Sequence, residues 1–234
     1  MISFVIPAFN EEALLDDCLN SIAAEMASVD HEVIVVDNSS TDQTANIARI
    51  HGAKVISAPI KGVVWARQAG FEAADGHLIA FIDADSQLPT GWLGVMQKVM
   101  HNPRVVACSG PLVFNHLGLG KRILTAIFYS IGVLISKAFP MVQGGNCVIR
   151  RDALRRVGGF DTSVEFYGED TRTAMRMAKV GKVCFVPGMF VWSSARRMEQ
   201  EGFVRIGARY VVNYFWMLIT GRPWSIEHDD HRPD

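Results

Sequence analysis

A chain of 234 residues, 49% hydrophobic and 20% charged, buries one sizeable core or two small ones, which excludes a disordered tail, a collagen-like repeat and a disulfide-stapled miniprotein. The formal net charge of −1 hides an asymmetry: residues 1–117 carry 6 Lys and Arg against 13 Asp and Glu, a net of −7, whereas residues 118–234 carry 17 against 11, a net of +6. An acidic half suits a metal and a basic half suits an anionic surface or ligand; a nucleic-acid partner is not expected.

The apolar run Ile2–Pro7 reads as a strand, and the acids that follow it at once, with no basic stretch ahead, argue against a signal peptide. Asn10 reads as the N-cap of a helix over Glu11–Met26 with acids in its first turn. Glu32–Asp37 is the second strand, and Ser40 with Gln43 forms a capping box for a helix over Asp42–Ile50. Strands at Lys54–Ser57, His77–Ile82 and Val105–Ser109 alternate with helices at Gly62–Ala74 and Thr90–Met100. This alternation of strands and helices predicts an α/β fold on a mainly parallel sheet, whose carboxyl edge gathers Asn10, Asp37 and Asp83. After Gly110–Pro111 come a 14-residue apolar segment, Ile123–Ser136, a strand at Cys147–Arg150, a helix from Glu169 to Val180, a strand at Lys182–Val186 and a long basic helix from Arg196 to Leu218. The four cysteines lie far apart with no C-x-x-C pair, so reduced thiols are expected rather than a zinc knuckle or a redox dithiol.

Asp83-Ala84-Asp85 ends an apolar strand, so alternation sends the two carboxylates to the same side of an exposed strand end. Held together they repel, and a hard cation such as Mg²⁺ or Mn²⁺, itself bound to phosphate oxygens, is the usual remedy. A strand-end turn cap accounts for such a motif when it stands alone.

It occurs within an ordered set: VIPAFNEE at the first strand, VVDNSSTDQT at the second, Lys61-Gly62 with Ala66-Arg67, and FIDADSQLP, followed by Gly144-Gly145-Asn146, Gly158-Gly159-Phe160-Asp161 and Gly168-Glu169-Asp170. This set, over roughly residues 1–195, resembles the family-2 glycosyltransferases, which have the GT-A fold: a Rossmann-like, mainly parallel sheet with helices on both faces and an elaborated C-terminal acceptor half. DADSQLP is also similar to a segment of polyprenyl-phosphate sugar synthases. The resemblance implies one domain, with residues 1–110 as the nucleotide-sugar half, 111–195 as the acceptor and catalytic half, and 196–234 as a basic amphipathic helix and tail. It implies an inverting transfer from a nucleotide-diphosphate sugar, a UDP-sugar above all, to a glycan or lipid-linked acceptor.

Carried onto this sequence, the resemblance places Pro7, Ala8, Asn10 and Glu12 around the base and ribose, with Asp37 accepting from uracil or ribose donors. Lys61 and Arg67 belong with the nucleotide, Arg67 against the base or the diphosphate. Asp85 is the main metal ligand, and Asp83, beside Ala84, binds the ribose or the metal. Gly144, Gly145 and Asn146 face the acceptor. Asp170 is the general base and Glu169 orients the acceptor or Asp170.

Where processive family members carry Gln/Arg-x-x-Arg-Trp this chain has Trp192-Ser193-Ser194-Ala195-Arg196-Arg197, which argues against polymer synthesis and leaves Arg196 or Arg197 to neutralise a diphosphate. His228, in the tail, is a further candidate metal ligand, against a frayed terminus. The apolar segment is too short to span a bilayer; it reads as a core helix, an interface or a helix lying on an anionic cytoplasmic leaflet. A haloacid dehalogenase-type phosphatase and a non-catalytic sugar- or lipid-surface-binding module are the competing readings.

Overall fold

Runs rich in Val and Ile form the strands of a sheet covered on both faces, and the stretches between them form the covering helices. The computed structural model describes residues 1–58, 60–114, 117–164 and 167–225. In chain order its first half holds β1 (Ile2–Ala8), α1 (Leu15–Glu25), β2 (His31–Asp37), α2 (Thr44–Ile50), β3 (Lys54–Ser57), α3 (Val63–Ala73), β4 (Leu78–Ile82), β5 (Ser86–Gln87), α4 (Trp92–Met100) and β6 (Val105–Ser109). Then follow β7 (Leu112–Val113), α5 (Leu119–Ile135), β8 (Asn146–Arg150), α6 (Arg151–Arg156), α7 (Glu169–Ala178), β9 (Lys182–Phe185), β10 (Val191–Ser193), α8 (Arg196–Glu201) and α9 (Phe203–Thr220).

Seven strands form the main sheet in the order β3-β2-β1-β4-β8-β6-β9. The pairs β1–β2, β1–β4, β2–β3 and β6–β9 are parallel, and β8 alone runs against its neighbours β4 and β6. That reversal has a functional consequence: Asn146 at the start of β8 pairs with Ile82 at the end of β4, so the Gly144-Gly145 loop meets Asp83 at the carboxyl edge. Period-two alternation divides the core. Phe4, Ile6, Ala80 and Ile82 pack on one face with Leu15, Ile22, Trp92 and Met96, while Val5, Ile79 and Phe81 pack on the other with Val64, Phe71 and Met177. A small second sheet, β5-β10-β7, brings Ser193 beside the loop that carries Asp85.

Three local expectations are corrected. Helix α1 begins at Leu15, because Asn10 takes a left-handed conformation (φ 50°) and its side-chain oxygen accepts from the Thr41 amide (2.9 Å) across the loops instead of capping. Ser40 likewise accepts from the Asn10 amide, and Glu12, not Ser40, receives the Gln43 amide (2.9 Å), so the capping box does not form. The long basic helix is two helices, broken at Gly202, whose φ of 91° suits glycine.

Candidate active site

A cleft of about 480 Å³ opens at the carboxyl edge of the main sheet. Its walls include Pro7, Ala8 and Phe9 from the end of β1 and the loop after it, Lys61 and Arg67 from the loop before α3 and from α3 itself, and Asp83, Ala84 and Asp85 after β4. Gly145, Glu169 and Asp170, and Arg196 and Arg197 of α8 complete the set that motif reading brings together. Ala84 is buried between its two aspartates, and the ammonium of Lys61 lies 3.8 Å from the centre of the Phe9 ring.

Arg67 is the organising charge. It is 4% exposed, and its guanidinium reaches Glu169 (2.5 Å), Asp83 (3.2 Å) and Asp170 (3.5 Å), carboxylates contributed by the start of α7 and the turn after β4. Its two terminal nitrogens are turned to protein carboxylates, and its side chain also lines the cleft in which a base or diphosphate is expected. Glu169 is buried, and that burial, reinforced by neighbouring Asp170, pushes its carboxyl well above the ordinary range against the pull of Arg67. Asp170 sits beside it with 28% of its side chain exposed to the cleft. The two carboxylates open α7, where the helix dipole favours them, after Gly168 has turned the chain with φ 90°.

Gly144 and Gly145 make this cluster possible. A Cβ on Gly144 would run into Asp170 and the Arg67 guanidinium, and one on Gly145 would run into the carboxylate of Asp83. Their role in the structure is therefore to admit the carboxylates. Asn146 does not face the cleft: fully buried, it accepts from the Trp92 indole (3.1 Å) and donates to the carbonyls of Met189 (2.6 Å) and Pro111 (3.4 Å). The expectation of an acceptor contact there is corrected to a structural one, because a buried amide satisfies three polar groups at once.

Asp85, two residues after Asp83 and lining the same cleft, is half-buried, with Ser193 Oγ and Arg196 each 3.5 Å from its carboxylate. Burial raises its pKa to about 7, the Asp83 charge adds to this, Arg196 opposes it and Glu11 raises it further. Arg196 also pairs with Glu11, which is 5% exposed. The second arginine, Arg197, holds Glu201 (2.8 Å), Tyr167 (2.7 Å) and Tyr210 (3.0 Å), so its fork ties α8 to α9.

These residues fit a hard divalent cation. Two carboxylates repel at a strand end, and Asp85 is held toward its neutral form until a positive charge meets it. Among the described residues no three His, Cys, Asp or Glu side chains converge as a closed metal cage. Mg²⁺-type sites built on one or two carboxylates plus substrate phosphates have that character. His228 lies outside the described residues.

Asn10, Glu12 and Asp37 do not line the cleft. Asn10 and Glu12 lock the β1–α1 loop to the β2–α2 loop, and Asp37 accepts from the Ser40 amide (3.1 Å) at the end of β2.

The family model described as "Glycosyl transferase family 2" matches residues 3–158. The chain belongs to that family. The glycosyltransferase AglE of Haloferax volcanii is 33% identical over 190 residues, covering 77% of this chain and 62% of AglE. An uncharacterized glycosyltransferase of Mycobacterium tuberculosis is 40% identical over 90 residues, 38% of this chain and 39% of the relative. The chain thus spans less than two thirds of the length of either relative. Among solved structures, the mannosyltransferase PcManGT of Pyrobaculum calidifontis, in complex with GDP-Man and Mn²⁺, superposes with a TM-score of 0.77 at 23% identity over 99% of this chain and 65% of that one. Glucosyl-3-phosphoglycerate synthase of Mycobacterium tuberculosis, with Mg²⁺ and UDP, gives 0.67 at 20% over 96% and 81%. The fold is GT-A.

Several cleft residues of this family member escape motif reading. Glu11, adjacent to the chosen Glu12, is the buried one under Arg196, and Phe9, Asn38 and Gln143 also line the cleft. Tyr210, Asn213 and Tyr214 of α9 complete the wall. Their i, i+3, i+4 spacing, which marks one helix face, was the available signal.

Proposed function

We propose that the protein is an inverting, divalent-metal-dependent glycosyltransferase that moves a sugar from a nucleotide-diphosphate sugar, a UDP-sugar above all, onto a hydroxyl of a glycan or lipid-linked acceptor in envelope or polysaccharide synthesis at the inner face of the plasma membrane. The observation that carries this reading is that Asp170, partly exposed, shares one cleft and one buried arginine with the Asp83-Ala84-Asp85 turn. Family membership supports it, as do fold neighbours solved with GDP-Man and Mn²⁺ or with UDP-Glc, Mn²⁺ and phosphoglyceric acid. A relative named for transfer to undecaprenyl phosphate, from Aeromonas hydrophila, is 36% identical over 98 residues and supports the lipid-linked acceptor; the match covers 38% of this chain and 30% of the relative.

In the transfer, Asp170 takes the proton of the acceptor hydroxyl, the freed oxygen bonds to the anomeric carbon, and the bond from that carbon to the diphosphate breaks, releasing the nucleoside diphosphate. Direct displacement turns an α-linked donor into a β-linked product. Asp170 is better suited to this than Glu169, which is buried, raised in pKa and paired with Arg67 at 2.5 Å. Arg67 positions all three carboxylates. What Mg²⁺ or Mn²⁺ supplies when bound is neutralisation of the diphosphate, and Asp85 with Asp83 would hold it. Arg196, which pairs with Asp85, would add a positive charge beside the diphosphate. Residues 1–110 would serve the donor and 111–195 the acceptor.

Asp170→Asn tests the assignment. It keeps the size of the side chain and removes the base, so nucleotide binding stays at the wild-type level while transfer falls by about 10²–10⁴-fold. Wild-type transfer by this variant, or a product that retains the donor's anomeric configuration by NMR, contradicts the mechanism.

A further inference from the structure

Helix α5 is apolar nearly all round yet almost wholly exposed. Of its 17 residues only Thr125 and Gly132 are buried, one stripe seven residues apart, and half-buried Tyr129 between them accepts from the Leu112 amide (3.1 Å). Ile123, Ile127, Phe128, Ile131 and Leu134 are each between 42% and 66% exposed. Helix α9 repeats the pattern: its inner side lines the cleft through Tyr210, Asn213 and Tyr214, while Val211, Phe215, Trp216 and Ile219 are exposed. Tyr214 donates to the Pro140 carbonyl (3.3 Å), tying α9 to the loop that leaves α5. A helix that is hydrophobic all round is covered by something.

The charge pattern identifies the cover. No Asp or Glu occurs in residues 86–151 or 202–226, although the chain holds 24 of them, and the apolar segments are bounded by Lys121, Arg122 and Lys137 on one side and by Arg205 and Arg222 on the other. Excluding acids is not a requirement of burial against a second protein, but it is a requirement of lying on an anionic leaflet, where basic ends and interfacial Trp and Tyr anchor a helix that sits in the plane. No helix among the described residues is long and apolar enough to cross a membrane. We infer that α5 and α9 form a docking surface for an anionic lipid bilayer. Because α9 is also a wall of the cleft, docking presents the site to acceptors carried in the leaflet; this consequence rests on the transferase reading, whereas the docking itself does not.

Co-sedimentation of the full chain with phosphatidylglycerol and with phosphatidylcholine vesicles tests this, beside a thermal-shift measurement with UDP, GDP and Mn²⁺ that reports donor binding separately. The expected result is pelleting with phosphatidylglycerol at low salt, release when the Debye length is shortened to about 3 Å at about 1 M salt, and at least about tenfold weaker binding for an Ile127→Glu/Ile131→Glu double variant whose nucleotide response is unchanged. Both positions are exposed, so the variant retains its core. Protein that stays in the supernatant with phosphatidylglycerol at low salt overturns the inference, as does undiminished binding by the double variant. A dimer in sedimentation velocity that the same substitutions dissolve, without vesicle binding, assigns the face to a second copy instead. Loss of the nucleotide response in otherwise vesicle-binding protein would count against the transferase reading alone.

Discussion

At the residue scale the site is a balance of acids against two arginines. Arg67 faces Asp83, Glu169 and Asp170, and Arg196 faces Asp85 and Glu11. The pKa of about 7 at Asp85 gives this a measurable sign. Near pH 4 the group is about half-protonated when unfolded and fully so in the folded chain; as pH rises from there to about 7 the folded chain keeps its proton while the unfolded chain does not, so metal-free stability falls over that window. A divalent cation at Asp85 must displace the same proton below about pH 7, so apparent Mn²⁺ affinity should rise by up to about tenfold per pH unit below 7 and flatten above it. Calorimetric titration with Mn²⁺ between pH 5.5 and 8 reads this directly. An affinity flat across that range places the cation elsewhere. The motifs name Arg67, Asp83, Asp85, Glu169 and Asp170 but not how they pair, because pairing depends on β8 running antiparallel. Glu11 and Glu12 look alike in the sequence, as neighbouring acids in one turn, and only burial sets Glu11 apart.

At the scale of elements, the strands β1, β2, β4 and β6 are legible from their continuous apolar runs, as buried strands are, and β3 with the helices between is legible from its place in the alternation. The short strands β5, β7 and β10 were not, since two or three residues carry no period. Asn10 and Ser40 have the right types for caps, but tertiary hydrogen bonds between two loops take precedence over local ones. The loop before β8 is where the backbone approaches Asp170, Arg67 and Asp83 most closely. Gly144→Ala should displace Asp170 and Arg67 from each other while leaving the sheet intact, so the variant unfolds with wild-type cooperativity, within about 1–3 kcal/mol of wild-type stability, and transfers at least about 10²-fold more slowly. Urea unfolding with parallel transfer assays checks both halves; normal transfer would show that the close approach at Gly144 is dispensable.

For the whole molecule, the acidic first half and basic second half meet at the cleft, where Asp83 and Asp85 from one share arginines and carboxylates with Arg196, Glu169 and Asp170 from the other. On the proposed mechanism this junction binds a nucleoside diphosphate through a divalent cation held at Asp85. The most direct test of that mechanism is a thermal-shift panel of UDP, GDP, TDP and CDP, with and without Mn²⁺, on wild-type protein and Asp85→Ala. At a ligand concentration of about 100 times Kd, stabilisation of about 2.7 kcal/mol is expected, or roughly 5–11 °C for a chain of this size. At least one nucleotide should give this shift with Mn²⁺, the shift should shrink without the metal, and Asp85→Ala should abolish the metal-dependent part while folding normally. Unchanged, metal-dependent nucleotide stabilisation in Asp85→Ala, or no stabilisation of the wild type by any of the four, would contradict the mechanism.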